Sequence, residues 1–146
     1  MKVKDILATK GSRVITIEKN TLVFDAMSIF SANRVGSLLV VDKDDNILGI
    51  IAAKDVLMAV VNHYEELKAI EVEKIMTSNI IVGSEEDDID YIQAIMTENR
   101  VRHIPIITDK KIKGLVSIGD IVKSQMTAKD VENKYLKDYM ADKYPG

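Results

Sequence analysis

Gly49-Ile50-Ile51-Ala52-Ala53-Lys54-Asp55 returns as Gly114-Leu115-Val116-Ser117-Ile118-Gly119-Asp120, 65 residues on (114 − 49). Working outward, Asn33-Arg34-Val35 recurs as Asn99-Arg100-Val101, a shift of 66 (99 − 33). At that shift Ser37-Leu38-Leu39-Val40-Val41 lies over His103-Ile104-Pro105-Ile106-Ile107. Upstream, Val3-Lys4-Asp5-Ile6-Leu7 lies over Val72-Glu73-Lys74-Ile75-Met76, with three extra residues in the first copy. Four matches in one order, with slack only where loops belong, mark an internal duplication.

Each copy has one coarse pattern. A short helical lead-in precedes a β-branched strand, Val14-Ile15-Thr16-Ile17 or Ile80-Ile81-Val82. An amphipathic helix follows, with apolar positions Ala26, Met27, Ile29 and Phe30 in one copy and Ile89, Ile92, Ile95 and Met96 in the other. Thr21 and Ser84 are its expected starts, and Ser84-Glu85-Glu86-Asp87 has capping-box spacing. Strands over 37–41 and 47–52 flank the turn Asp42-Lys43-Asp44-Asp45-Asn46, which reads as a hairpin. A second helix begins near Asp55 or Asp120. The fold class is α/β of the α+β type, with two pseudo-symmetric β-α-β-β-α repeats packed sheet to sheet. The expected boundaries are 1–66 and 67–126 for the repeats and 127–146 for a helical tail. One copy alone buries too little surface to be secure; two around a pseudo-twofold axis share a core and line their clefts in pairs.

The 146 residues suit one compact domain of two halves. With no cysteine, the chain is excluded from disulfide and thiolate chemistry, and a cytoplasmic address is expected. Lys and Arg total 20 against 23 Asp and Glu, so nucleic acid is not expected as a partner and only a local basic cluster can hold phosphate. No apolar stretch reaches signal-peptide or membrane-spanning length, so neither is expected. His63 sits in a polar run and reads as solvent-facing. Nothing places a nucleophile beside His103 with a third group orienting it, so catalysis is not expected. The acidic groups 42–45 and 85–88 read as turn and cap residues, and no phosphate-loop or dinucleotide fingerprint is present. No metal site and no catalytic cofactor are expected.

The strongest constellation joins Ser117 and Asp120 with Arg102 and His103. Structurally, Ser117 and Asp120 form a capping box. The same helix start also favours an anion through its free N–H groups and dipole. A carboxylate there suits the two vicinal hydroxyls of a ribose, and Arg102 and His103 on the neighbouring strand suit phosphate.

The duplicated unit, the Gly-apolar-apolar-Ser-x-x-Asp motif and the segment Asn99-Arg100-Val101-Arg102-His103-Ile104-Pro105-Ile106 resemble a tandem pair of CBS domains (cystathionine β-synthase domains), the Bateman module, over about residues 1–126. The resemblance implies a regulatory, non-enzymatic module of the stand-alone kind. It would bind AMP, ADP or ATP, with NAD or S-adenosylmethionine as further possibilities, between the repeats. Carried over by position, Ser117 and Asp120 would hold the ribose. Ile15, Val35 and Gly36 would enclose the adenine, and Lys10, Arg102 and His103 would meet phosphate. The second cleft would use Asp55, Lys54, Ile81 and Val101. It departs from the pattern at Ala52, which lacks the usual hydroxyl, so the Asp120 cleft is expected to bind better. The alternative is an interaction or oligomerisation scaffold with a vestigial cleft. The resemblance also implies a homodimer and an unidentified protein effector. In the tail, Val131, Tyr135, Leu136, Tyr139 and Met140 recur at helical spacing and read as a stripe laid on this domain or a second subunit.

Overall fold

The computed structural model describes residues 1–126 and 128–140. In chain order it contains α1 (Val3–Lys10), β1 (Thr16–Glu18), α2 (Val23–Asn33), β2 (Ser37–Val41), β3 (Ile47–Ala52) and α3 (Ala53–Asn62). Two short 3₁₀ turns, Tyr64–Glu66 and Val72–Lys74, lead into α4 (Ile89–Asn99), β4 (His103–Thr108), β5 (Lys111–Ser117), α5 (Ile118–Gln125) and α6 (Ala128–Met140). The first repeat carries a three-stranded sheet, β1-β2-β3, in which β1 runs parallel and β3 antiparallel to β2. The second carries the antiparallel pair β4-β5.

Continuous apolar sequence makes β2 and β4 strands buried on both faces. Leu38 and Val40 face the first core, Ile104 and Ile106 the second. Leu39 and Pro105, on the opposite faces, are buried as well. The hairpin at 42–46 forms because the Asp42 carboxylate accepts from the N–H groups of Asp44 (2.8 Å) and Asn46 (3.0 Å). The repeated Asn-Arg pair is a helix stop. Arg34 and Arg100 both take left-handed backbone (φ 53° and 54°), while the Asn33 and Asn99 amides donate back to the carbonyls of Ile29 and Ile95.

The expected strand 80–82 does not form. In the first repeat the Leu39 N–H donates to the Ile15 carbonyl, which helps fasten β1. The pseudo-equivalent of Leu39 is Pro105, which has no N–H, so the ladder shrinks to a single bridge between Gly83 and Ile106. Strand β1 itself starts at Thr16, two residues later than expected. The helices also start later than Thr21 and Ser84, at Val23 and Ile89. The Ser84–Asp87 contact exists, with the Ser84 N–H donating to Asp87 Oδ2 at 2.8 Å, but it closes a turn ahead of α4.

The lead-ins are exchanged between repeats. Val3, Ile6 and Leu7 of α1 belong to the second core, with Ile92, Met96 and Ile121. Val72, with Leu67, Ile70, Ile75 and Met76 beside it, packs on the first. The hydrogen bonds obey the same pseudo-symmetry: Val3 N–H donates to the Asp87 carbonyl (3.0 Å) and Val72 N–H to the Thr21 carbonyl (2.8 Å). The two motif glycines now have a packing reason. A Cβ on Gly49 would lie 2.6 Å from Met76 Sδ, and one on Gly114 2.6 Å from Leu7 Cδ2. Each glycine leaves room for the crossing lead-in of the other copy.

In the tail, α6 forms with Tyr135 and Leu136 exposed. The rest of the expected stripe (the side chains of Val131, Tyr139 and Met140) and the end at 141–146 lie outside the described residues.

Candidate functional site

The capping box at Ser117 and Asp120 is present. Ser117 Oγ accepts from the Asp120 N–H at 3.1 Å, and the Ser117 N–H donates to Asp120 Oδ2 at 2.8 Å. The same Oδ2 receives the Lys10 ammonium at 2.6 Å, and Lys10 donates a second bond to the Leu115 carbonyl, also at 2.6 Å. Burial works to raise the Asp120 pKa, but the bonds from Lys10 and Ser117 outweigh it and hold the carboxyl below its ordinary value. The groove beside it, about 490 Å³, lies between α1 and α5 and is lined by Ile6, Thr9 and Lys123 among others.

At the pseudo-equivalent start of α3, the Asp55 carboxylate accepts the Ala52 N–H at 2.8 Å. Ala52 has no oxygen to cap the helix in return, and no ion pair reaches Asp55 among the described residues. Here the chain opens a cavity of about 580 Å³. Ile50, Ala52 and Val101 give it apolar walls; Lys54, Asp55, Arg100 and Arg102 give it charge; Gly36, Thr77 and His103 complete the contact with the other repeat. Three permanent cations thus stand around one carboxylate.

His103 occupies the wall between the two clefts. Gly36 admits it, since a Cβ there would sit 2.6 Å from His103 Nε2. Burial lowers the imidazole pKa; Lys10 and Arg102 add to the effect, and Asp120 opposes it. It is therefore neutral near pH 7, a donor and acceptor more than a charge.

The arrangement redistributes the expected site residues. Gly36, Lys54, Asp55, Val101, Arg102 and His103 come together in one cavity. Arg102 and His103, expected to serve the Asp120 cleft, line the Asp55 cavity, and His103 also feels the charges of Lys10 and Asp120 from the wall between the two clefts. Lys10, expected at a phosphate rim, is engaged by Asp120 itself. Ile15 and Val35 are partly buried against the first core and Ile81 against the second. The sequence reading missed Arg100, Thr77 and Ile50. Arg100 stood in the segment 99–106 without a role of its own, and it takes the left-handed turn that ends α4. Among the described residues no cluster of three or more His, Asp or Glu is placed to hold a metal, and no helix is long and apolar enough to cross a membrane.

A family model described as the CBS domain matches residues 3–62 and again 72–127. Among curated proteins, the mitochondrial CBS domain-containing protein CBSX3 of Arabidopsis thaliana is 30% identical over 97% of this chain and 73% of its own length. Among solved structures, the CBS-domain containing protein ATU1752 from Agrobacterium tumefaciens superposes with a TM-score of 0.83 at 31% identity, covering 86% of this chain and all of that one. The CBS domain pair of protein MJ0100, in complex with 5'-methylthioadenosine and S-adenosyl-L-methionine, gives 0.76 at 27% identity, covering 86% of this chain and 95% of that one.

Proposed function

The chain belongs to the CBS-domain family, with two copies in tandem, and from that premise we propose that it is a regulatory module that senses an adenine nucleotide in the Asp55 cavity. The observation that carries the reading is that cavity: about 580 Å³ at the seam between repeats, within the range of small-molecule sites, with one carboxylate at a helix start and three cations around it. Asp55 accepts the two ribose hydroxyls. Ile50 and Val101 supply the apolar contact for the base. Arg100, Arg102 and Lys54 meet the phosphates, and the uncapped first turn of α3 adds free N–H groups and the positive end of its dipole. AMP, ADP and ATP fit this charge pattern; NAD shares the adenosine end. The MJ0100 pair, in complex with two adenosine compounds, supports the same chemistry for a relative.

Ligand binding bridges the repeats and shifts their packing by its differential affinity for the two arrangements. The module is regulatory and not catalytic, it works in the cytoplasm, and its output is read by another protein or subunit. A homodimer through the outer helices fits a specific observation. Leu57 and Val61 on α3 and their pseudo-equivalents Val122 on α5 and Met126 just past its end are all exposed, a self-matching apolar face suited to a twofold contact.

Thermal melting with AMP, ADP, ATP, NAD and S-adenosylmethionine tests the reading. A ligand at about 100 times its Kd adds ~2.7 kcal/mol, which raises the midpoint of a chain this size by roughly 9 °C. If no member of the panel moves the midpoint, the nucleotide reading fails and the scaffold alternative takes its place.

A further inference from the structure

The two pseudo-equivalent carboxylates are not equally available. Asp55 accepts one backbone N–H and otherwise faces an open cavity. Asp120 makes the same backbone bond, but the oxygen that accepts it also holds the Lys10 ammonium. Side-chain exposure is 21% for Asp120 and 36% for Lys10, so the pair is only partly open to solvent.

The asymmetry traces to one residue. In the first repeat the Ile50 carbonyl accepts the Thr77 N–H from the crossing lead-in at 2.9 Å. In the second, the equivalent carbonyl of Leu115 accepts the Lys10 side chain. The lead-in shift of 69 (72 − 3) sets Lys10 opposite Asn79, which is uncharged and too short to make both contacts. Lys10 is the last residue of α1, and α1 is fixed on β5 and α5 by Val3, Ile6 and Leu7. The ammonium is thus delivered to Asp120 by a helix that is itself anchored in the second core.

We infer that Lys10 is a built-in occupant of the Asp120 site: it takes the oxygen that a ribose would need, so the module takes up one nucleotide at Asp55 and admits a second only where Lys10 is drawn off Asp120. The inference rests on the nucleotide reading of the Asp55 cavity. It assigns the second cleft a closed state held by the chain itself.

Calorimetric titration of the full chain with ADP tests it. Wild type is expected to bind one ADP per chain. Lys10→Asn, which installs the residue of the other lead-in, and Lys10→Met, which keeps the stem without the charge, are each expected to bind two. The double variant Lys10→Asn with Asp55→Ala is expected to keep one site. Two sites of similar Kd in wild type would overturn the inference. So would a single site in both Lys10 variants, with circular dichroism confirming that they are folded. Binding by the Lys10 variants at one site where wild type binds none would leave the inference standing and sink the Asp55 reading; binding by none of these proteins would sink both.

Discussion

Asp55→Ala and Asp120→Ala make a matched pair, because sequence spacing treats the two residues alike and the structure separates them. A hydrogen bond to a charged acceptor contributes about 1.5–3 kcal/mol. Two ribose hydroxyls on Asp55 therefore supply at least ~3 kcal/mol, so its removal weakens ADP by roughly 150-fold. At an ADP concentration of about 100 times the wild-type Kd, the midpoint gain falls from roughly 9 °C to about 1 °C. The unliganded Asp55→Ala protein should lose little, ~0.5–1 kcal/mol, since only the Ala52 N–H loses an acceptor. Asp120→Ala should do the reverse. It removes half of a capping box and a partly exposed ion pair, about 1–2 kcal/mol together once solvent screening is allowed for, and lowers the unliganded midpoint by roughly 3–7 °C. Its ADP-induced gain should persist. Differential scanning fluorimetry reads all four values. An Asp120→Ala protein that loses the gain while Asp55→Ala keeps it would refute the assignment of the open site.

His103 is held below its ordinary pKa in the folded chain, so the unfolded chain binds the extra proton first. Stability should fall as pH drops below about 6.5, until the folded pKa is passed, and urea unfolding of His103→Asn should show a flatter slope in that window. Asp120 acts in the same direction at lower pH: its depressed pKa gives stability that is present above about pH 4 and lost as pH falls through the folded value. Gly49→Ala should cost ~2–3 kcal/mol, because the new methyl meets the Thr77 carbonyl at 2.9 Å as well as Met76, and that carbonyl is pinned by the Ile50 N–H. Gly114→Ala meets only the Leu7 side chain and should cost less; equal midpoints for the two would contradict the backbone Thr77 carbonyl being the harder neighbour. Ser37→Ala should stabilise the unliganded protein by about 1 kcal/mol, since Ser37 Oγ is buried without a hydrogen-bond partner. A destabilised Ser37→Ala in chemical denaturation would show that the hydroxyl has a partner after all.

The parts of this fold legible in the sequence are those set by near neighbours along the chain. The Asp42–Asn46 hairpin and the Ser117–Asp120 box depend on spacings of three and four residues. Strands β2 and β3 were marked by unbroken apolar runs ending at charged turns. The missing third strand of the second repeat was harder, because its cause sits in a different strand, where Pro105 withholds a donor from Ile81. The site was legible as a set of residues and not as a map. Spacing assigned Arg102 and His103 to the nearer aspartate, Asp120, whereas both also line the cavity at the farther one, Asp55. Lys10 read as a free cation, because nothing local says that the end of α1 comes to rest on Asp120. One signal was present: the first lead-in carries a lysine and three extra residues where the second carries Asn79 and none.

The crossing of the lead-ins also sets the order in which the molecule can be completed. Val3 leaves the ribosome long before Ile121, its neighbour in the second core. At ~5–20 residues per second the interval is about 6–24 s, during which the apolar face of α1 has no home. The first half is in the same position until Val72 arrives to close it. The first core can therefore close about halfway along the chain, once Val72 to Met76 emerge, whereas the second, with α1 waiting for it, closes only when Ile121 arrives.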